Sequence, residues 1–182
     1  SGIGRTGRLF ACEHEGVAPD ILTLAKGLGS GLPIGAIVAR RRLMQQWKRG
    51  AHGNTFGGNP LCCAAANVTL DLVRDEYAAN AARVGAYFME RLREFAARYP
   101  CVGDLRGRGL MIGMELVQAD GSPARGLVDA LLHRAFDNGL LLLSCGTSTL
   151  RFMPPLCVTT AEVDEALVLL GVALDEALAA GA

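Results

Sequence analysis

An α/β fold is predicted from three features of the amino-acid sequence. Compact apolar runs at residues 21–25 and 33–39, bounded by proline and glycine, have the length and composition of strands. Within residues 80–99, Val84, Phe88, Leu92 and Phe95 recur at helical spacing and predict an amphipathic helix. Strand-like and helix-like segments then alternate to the end of the chain, the pattern of packed sheet and helix layers.

Residues 1–8 are a loop rich in glycine and arginine, and residues 9–13 are a short strand or turn. The run 21–25 starts with a β-branched residue and lies between Pro19-Asp20 and Gly27, which suits a buried strand of a parallel sheet. Ile34, Ile37 and Val38 mark the next strand, and Arg40-Arg41-Arg42 returns the chain to solvent. After a loop over 50–60, Pro60 fits the first turn of a helix carrying Ala64, Ala65 and Ala66. Residues 110–116 read as a strand after the turn Gly107-Arg108-Gly109. Leu127, Val128, Leu131, Leu132, Ala135 and Phe136 line a helix ended by Asn138-Gly139. Short strands are expected at 140–143 and 150–153. A final helix, capped by Thr159 or Thr160, turns Val163, Ala166, Leu167, Leu170 and Leu174 inward. The segments from the turn at Gly107 to the end of the chain make a compact unit of about eighty residues. The expected boundary falls along the long helix, giving portions 1–75 and 76–182.

Composition excludes several classes of function. Hydrophobic residues are 51% and charged residues 20%, a globular balance and not a disordered one. The formal net charge of zero gives no electrostatic case for nucleic acid or an anionic membrane. No apolar run approaches the roughly 18 residues of a membrane span, and the first residues lack the charged-then-apolar order of a secretory signal. Cys12, Cys62, Cys63, Cys101, Cys145 and Cys157 form no CxxC pair and no metal-ligand spacing with histidine. They read as buried or half-buried thiols of a reducing cytoplasm, with no metal site expected.

Two glycine patterns suggest phosphate binding and fail on context. Residues 2–7 match GxGxxG, but no strand precedes them and no amphipathic helix opens after them. Residues 26–31 lack the Gly-Lys-[Ser/Thr] ending of a phosphate loop. Lys26 carries more information, because it follows an apolar strand directly and precedes the glycine run Gly27-Leu28-Gly29-Ser30-Gly31. Open α/β sheets place ligands at the carboxyl ends of strands. An apolar setting there lowers a lysine's pKa and makes the amine a nucleophile able to form a Schiff base. The glycines let backbone approach a flat ligand closely. On these residues alone, a lysine in that place is more commonly the solvated end of its strand.

The segments at 2–39 (Gly-Ile-Gly-Arg-Thr-Gly through Pro-Asp-Ile and Leu-Ala-Lys-Gly), 53–60 (Gly-Asn-Thr-Phe-Gly-Gly-Asn-Pro), 105–113 (Leu-Arg-Gly-Arg-Gly-Leu-Met-Ile-Gly) and 150–156 (Leu-Arg-Phe-Met-Pro-Pro-Leu) together resemble class III aminotransferases. Four motifs in the family's order are far more specific than any one of them, and the similarity covers nearly the whole chain. The resemblance implies fold type I of the pyridoxal 5′-phosphate (PLP) transferases: the C-terminal part of the large domain followed by the small α/β domain. It implies PLP as cofactor and a homodimer. Lys26 would hold the cofactor covalently and shuttle a proton between the substrate Cα and cofactor C4′. Thr55 would give its hydroxyl to the cofactor phosphate of the neighbouring subunit, helped by N–H groups where the next helix begins. Arg151 would clamp a substrate carboxylate with two parallel donors. Arg106 and Arg108 fit a structural ion pair as well as a substrate contact. His14, His52 and His133 receive no catalytic role, and Trp47 is read as a packing or interface residue.

In the family an Asp-Glu-Val-Gln-type segment precedes the residues matching Ser1-Gly2, and its aspartate pairs with the cofactor's pyridine nitrogen. The sequence given begins after it, so the expectation is a fragment that is poorly stable and inactive alone. The implied activity is amino transfer from an ω-amine or amino acid, 4-aminobutyrate-like on the basis of Leu142-Leu143-Ser144-Cys145-Gly146, to 2-oxoglutarate. A racemase of the same family and a non-catalytic interaction domain are the alternatives.

Overall fold

The computed structural model describes residues 2–181. The chain divides into two compact units, one ending at Ala79 and the other starting at Asn80.

The first unit is built from short elements. A 3-10 turn, Ala11–Glu15, precedes strand β1 (Ile21–Leu24), a second 3-10 turn (Lys26–Gly29), strand β2 (Ala36–Ala39) and a one-turn helix α1 (Arg41–Met44). Helix α2 (Pro60–Leu72) follows, with Pro60 in its first turn and Asn59 as its cap, the Asn59 side chain accepting from the Cys62 N–H at 3.0 Å. A π-helical turn, Val73–Tyr77, joins α2 to helix α3 (Ala78–Ala96). Leu28, Cys62, Ala66, Thr69 and Val73 are buried. The turn after β1 packs on α2, where the Ser30 and Thr69 hydroxyls hydrogen-bond at 2.9 Å.

The parallel pairing expected for residues 21–25 is not what forms. β1 pairs antiparallel with β2, Ile21 opposite Ala39 and Leu24 opposite Ala36. The reason lies in the connection: residues 25–35 hold a single tight turn, whereas a parallel return needs a crossover of a dozen or more residues, usually a helix. Nor is β1 buried, since Ile21 is 58% exposed.

The second unit is a four-stranded sheet in the order β3-β4-β6-β5, antiparallel throughout. Its strands are β3 (Val102–Arg108), β4 (Met111–Leu116), β5 (Leu143–Cys145) and β6 (Thr149–Phe152), with helices α4 (Arg125–Asp137) and α5 (Thr160–Ala179) alongside α3. Strand β4 alternates strictly, burying Ile112, Met114 and Leu116. Those side chains join Phe88, Leu92 and Phe95 of α3, Leu131 of α4, Leu150 and Phe152 of β6, and Leu170 and Leu174 of α5 in one core. Each such side chain contributes about 1.5–3 kcal/mol by leaving water. Thr159 caps α5 in a reciprocal box, its N–H donating to Glu162 at 2.7 Å and its hydroxyl accepting from the Glu162 N–H at 3.3 Å. On the outer side of the helices, Asp164 of α5 accepts from the Tyr87 hydroxyl and from Arg91 of α3.

Three local expectations shift. Strand β3 was not among the expected strands, and the strand expected at 140–143 lies at Leu143–Cys145, after the turn that ends α4. Cys157 is exposed, unlike the other cysteines, which are buried or half-buried. Among the described residues no helix is long and apolar enough to cross a membrane.

Candidate active site

Lys26 stands at the first position of the turn that follows β1, with φ +50°. A side chain in the left-handed region costs roughly 1–2 kcal/mol, and a residue held there without glycine points to a functional constraint. The turn itself is tied down. Buried Leu28 anchors it, Ser30 bonds to Thr69, and Gly29 lies so close to Ile34 that a Cβ would sit 2.7 Å from Ile34 Cγ2. The Lys26 side chain is exposed, with no ion pair or hydrogen bond among the described residues. The apolar burial expected to surround it is therefore absent from this unit, because β1 lies open to solvent.

Thr55 lies in the turn that leads into α2. The Asn54 side chain accepts from the Phe56 N–H at 3.0 Å, an Asx turn that fixes the local backbone. The Thr55 hydroxyl is exposed and, with the N–H groups of Thr55, Gly58 and Leu61, has no hydrogen-bond partner among the described residues. The helix start contributes less than expected to an anion site. Pro60 has no N–H, and Asn59 already takes the N–H of Cys62 through its side chain and that of Cys63 through its carbonyl. A cleft of about 390 Å³ has Leu24, Gly35, Trp47, His52 and Asn54 in its walls. The strand leading to Lys26 and the turn carrying Thr55 thus border one cavity. Trp47 is 46% exposed and tilts against His52 at 5.8 Å between ring centroids.

Arg151 belongs to the second unit. It lies on β6 between buried Leu150 and Phe152, and is itself half-buried. Among the described residues its side chain makes no ion pair or hydrogen bond. It borders a largely apolar cleft of about 450 Å³ with Leu142, Leu143, Met153, Pro154 and Pro155. A charge so placed keeps its donors available to an incoming anion.

Arg106 settles into an ion-pair network that sequence reasoning left open. Its guanidinium reaches Asp104 at 2.5 Å, Glu115 at 3.1 Å and the Thr149 hydroxyl at 3.3 Å. Hydrogen bonds to Asp104 and Glu115 hold its pKa above the ordinary arginine value. His14 bonds to Thr6 and His133 to the Asp129 carbonyl. No group of three or more His, Cys, Asp or Glu side chains is placed to hold a metal ion among the described residues.

Residues 1–174 match the family model for class III aminotransferases. The chain is 46% identical over 177 residues to an acetylornithine aminotransferase of Caldanaerobacter subterraneus subsp. tengcongensis, spanning 97% of this chain and 43% of that protein. It is 43% identical over 169 residues to a succinylornithine transaminase of Photorhabdus laumondii subsp. laumondii, spanning 92% of this chain and 41% of that one. Among solved structures, the ornithine aminotransferase of Toxoplasma gondii, described with PLP at partial occupancy in its active site, superposes with a TM-score of 0.85. That pair shares 38% identity over 96% of this chain and 41% of the other. The chain spans less than half the length of these relatives. It belongs to the class III aminotransferases, a family of PLP-dependent enzymes of mixed α/β fold.

Proposed function

We infer that this chain carries half of the active site of an aminotransferase that moves an amino group from an acetylornithine-type donor to 2-oxoglutarate, with Lys26 as the residue that holds PLP. The first unit corresponds to the end of the large domain in this reading, and the second to the small domain. The observation that carries the reading is Lys26 itself: a free amine at a left-handed residue, on a turn anchored by Leu28, Gly29 and Ser30. The matching relatives carry acetylornithine and succinylornithine names, which favours that donor over the 4-aminobutyrate-like one suggested by residues 142–146.

The residues present fit the cofactor. A primary amine from one subunit and, from the turn before α2 of its neighbour, an unpartnered hydroxyl with unpartnered N–H groups would supply what a phosphorylated aldehyde needs. When bound, PLP supplies an electron sink for the pair left on the substrate Cα after proton loss. Lys26 would hold the cofactor through its Nζ and would move a proton to and from the substrate Cα. Thr55 would orient, through its hydroxyl, the phosphate of the cofactor held by the neighbouring subunit. Arg151 holds the substrate carboxylate, and the apolar walls around it exclude water and strengthen that charge pairing. Phe56, Leu61 and Val68, apolar and exposed at 77%, 70% and 59%, support a homodimer in which this face is covered.

The assay is glutamate formation from 2-oxoglutarate by the product of the complete reading frame, with PLP added. N-acetylornithine is expected to outpace 4-aminobutyrate by at least about tenfold in kcat/KM, the scale on which one site separates donors of different size. The reverse order would sink the donor assignment. Racemisation of an amino acid without any 2-oxo acid would replace transamination by the racemase alternative.

A further inference from the structure

The outer face of the four-stranded sheet arranges its polar residues in cross-strand rows. Asp104, Glu115, Thr149 and Cys145 stand opposite one another in one row, and Arg106, Gly113, Arg151 and Leu143 in the next. Glu115 therefore has an arginine on each diagonal, Arg106 on β3 and Arg151 on β6. Diagonal neighbours lie roughly 7–8 Å apart, within reach of long side chains. The two arginines are treated differently. Glu115 pairs with Arg106 at 3.1 Å, while Arg151 has no partner among the described residues.

Arg106 does this by crossing the sheet. Its stem passes over Gly113, where a Cβ would lie 4.0 Å from Arg106 Cγ, and its tip bonds to Thr149 on β6, two residues from Arg151. Asp104 holds the same guanidinium from β3 at 2.5 Å. Without Arg106, two carboxylates would stand together with Arg151 as the free cation on the diagonal of Glu115. Their mutual repulsion and the attraction of Arg151 both favour a Glu115–Arg151 pair.

We propose that Arg106 is a positioning residue that keeps Glu115 bound to itself and so keeps Arg151 free for the substrate carboxylate. The role rests on the carboxylate reading of Arg151 given above. It requires that the effect of losing Arg106 run through Glu115, so removal of both side chains restores what removal of one destroys. A purely structural role for Arg106 would show no such rescue.

The test uses the holoenzyme labelled with ¹⁵N and two readouts. The first is solvent exchange of the Arg151 Nε–Hε proton. It is expected to be fast in the parent protein, slowed in Arg106→Gln, and fast again in Arg106→Gln combined with Glu115→Gln. The second is binding of glutarate, an unreactive dicarboxylate, followed by isothermal titration calorimetry. Arg106→Gln should weaken it about fivefold, the scale of one exposed ion pair, and the double variant should recover it. Unchanged exchange in Arg106→Gln, or slow exchange that persists in the double variant, overturns the proposal. Glutarate binding that is equal in the parent and in Arg151→Gln overturns the carboxylate reading instead, and the positioning role falls with it.

Discussion

Replacing Arg151 by glutamine is expected to raise KM for carboxylate substrates about 100-fold, with little effect on stability. Each charge-assisted hydrogen bond contributes about 1.5–3 kcal/mol, so losing a bidentate pair costs at least two powers of ten in affinity. Stability should stay within about 1 kcal/mol of the parent, because Arg151 has no ion pair to lose and only part of its stem is covered. Steady-state kinetics with N-acetylornithine and 2-oxoglutarate, set beside denaturant melts, separates the two quantities. A large loss of stability with unchanged KM would make Arg151 a packing residue.

The second large effect falls on Gly85, which has no side chain to take part in the proposed chemistry. This residue lies inside α3, where glycine normally costs close to 1 kcal/mol relative to alanine. Gly85→Ala would thus be expected to stabilise an isolated helix. Here a Cβ would lie 2.2 Å from the Gly109 carbonyl oxygen and 2.6 Å from Gly109 Cα. Those atoms belong to the two-residue loop of the β3–β4 hairpin, where Gly109 has φ +55° and Leu110 is fully buried. Neither backbone can yield as a flexible side-chain end would. Gly107 closes the hairpin from the other side, its Cβ position 2.4 Å from the Met111 carbonyl oxygen. Overpacking of this kind costs about 1–3 kcal/mol, enough to outweigh the helix-propensity gain. A lower denaturation midpoint for Gly85→Ala is the expected result, and a raised one would show that the hairpin does not rest on α3 backbone to backbone.

The same glycines illustrate how far the sequence could be read. Residues 105–113 stood out as a family motif, yet their spacing did not reveal that Gly107 and Gly109 serve a hairpin pressed against a helix. The helices were legible because Val84, Phe88, Leu92 and Phe95 repeat with the helical period, and because Thr159 precedes Glu162 by three residues. Strand β3 was not, since only Val102 and Leu105 of its seven residues are even half-buried, and glycine and charge fill the rest. Direction in the first unit was equally hidden: an apolar run does not say which way its partner runs, and the length of residues 25–35 was the better guide. Of the candidate site, Lys26, Thr55 and Arg151 could be proposed from motifs. The bracket of Arg106 over Gly113 could not, because it depends on a register of three strands that no local pattern encodes.

Attachment of the cofactor to Lys26 can be tested against a control within the same chain. The chain contains two lysines, Lys26 and Lys48, and both are solvent-exposed. Incubation with PLP, reduction with borohydride and peptide mass spectrometry locate the pyridoxyl group. A single adduct on Lys26, absent in Lys26→Ala with Lys48 still unmodified, is the predicted result. Equal labelling of Lys26 and Lys48, or an adduct on Lys48 alone, would show an exposed amine reacting by chance and would contradict the assignment.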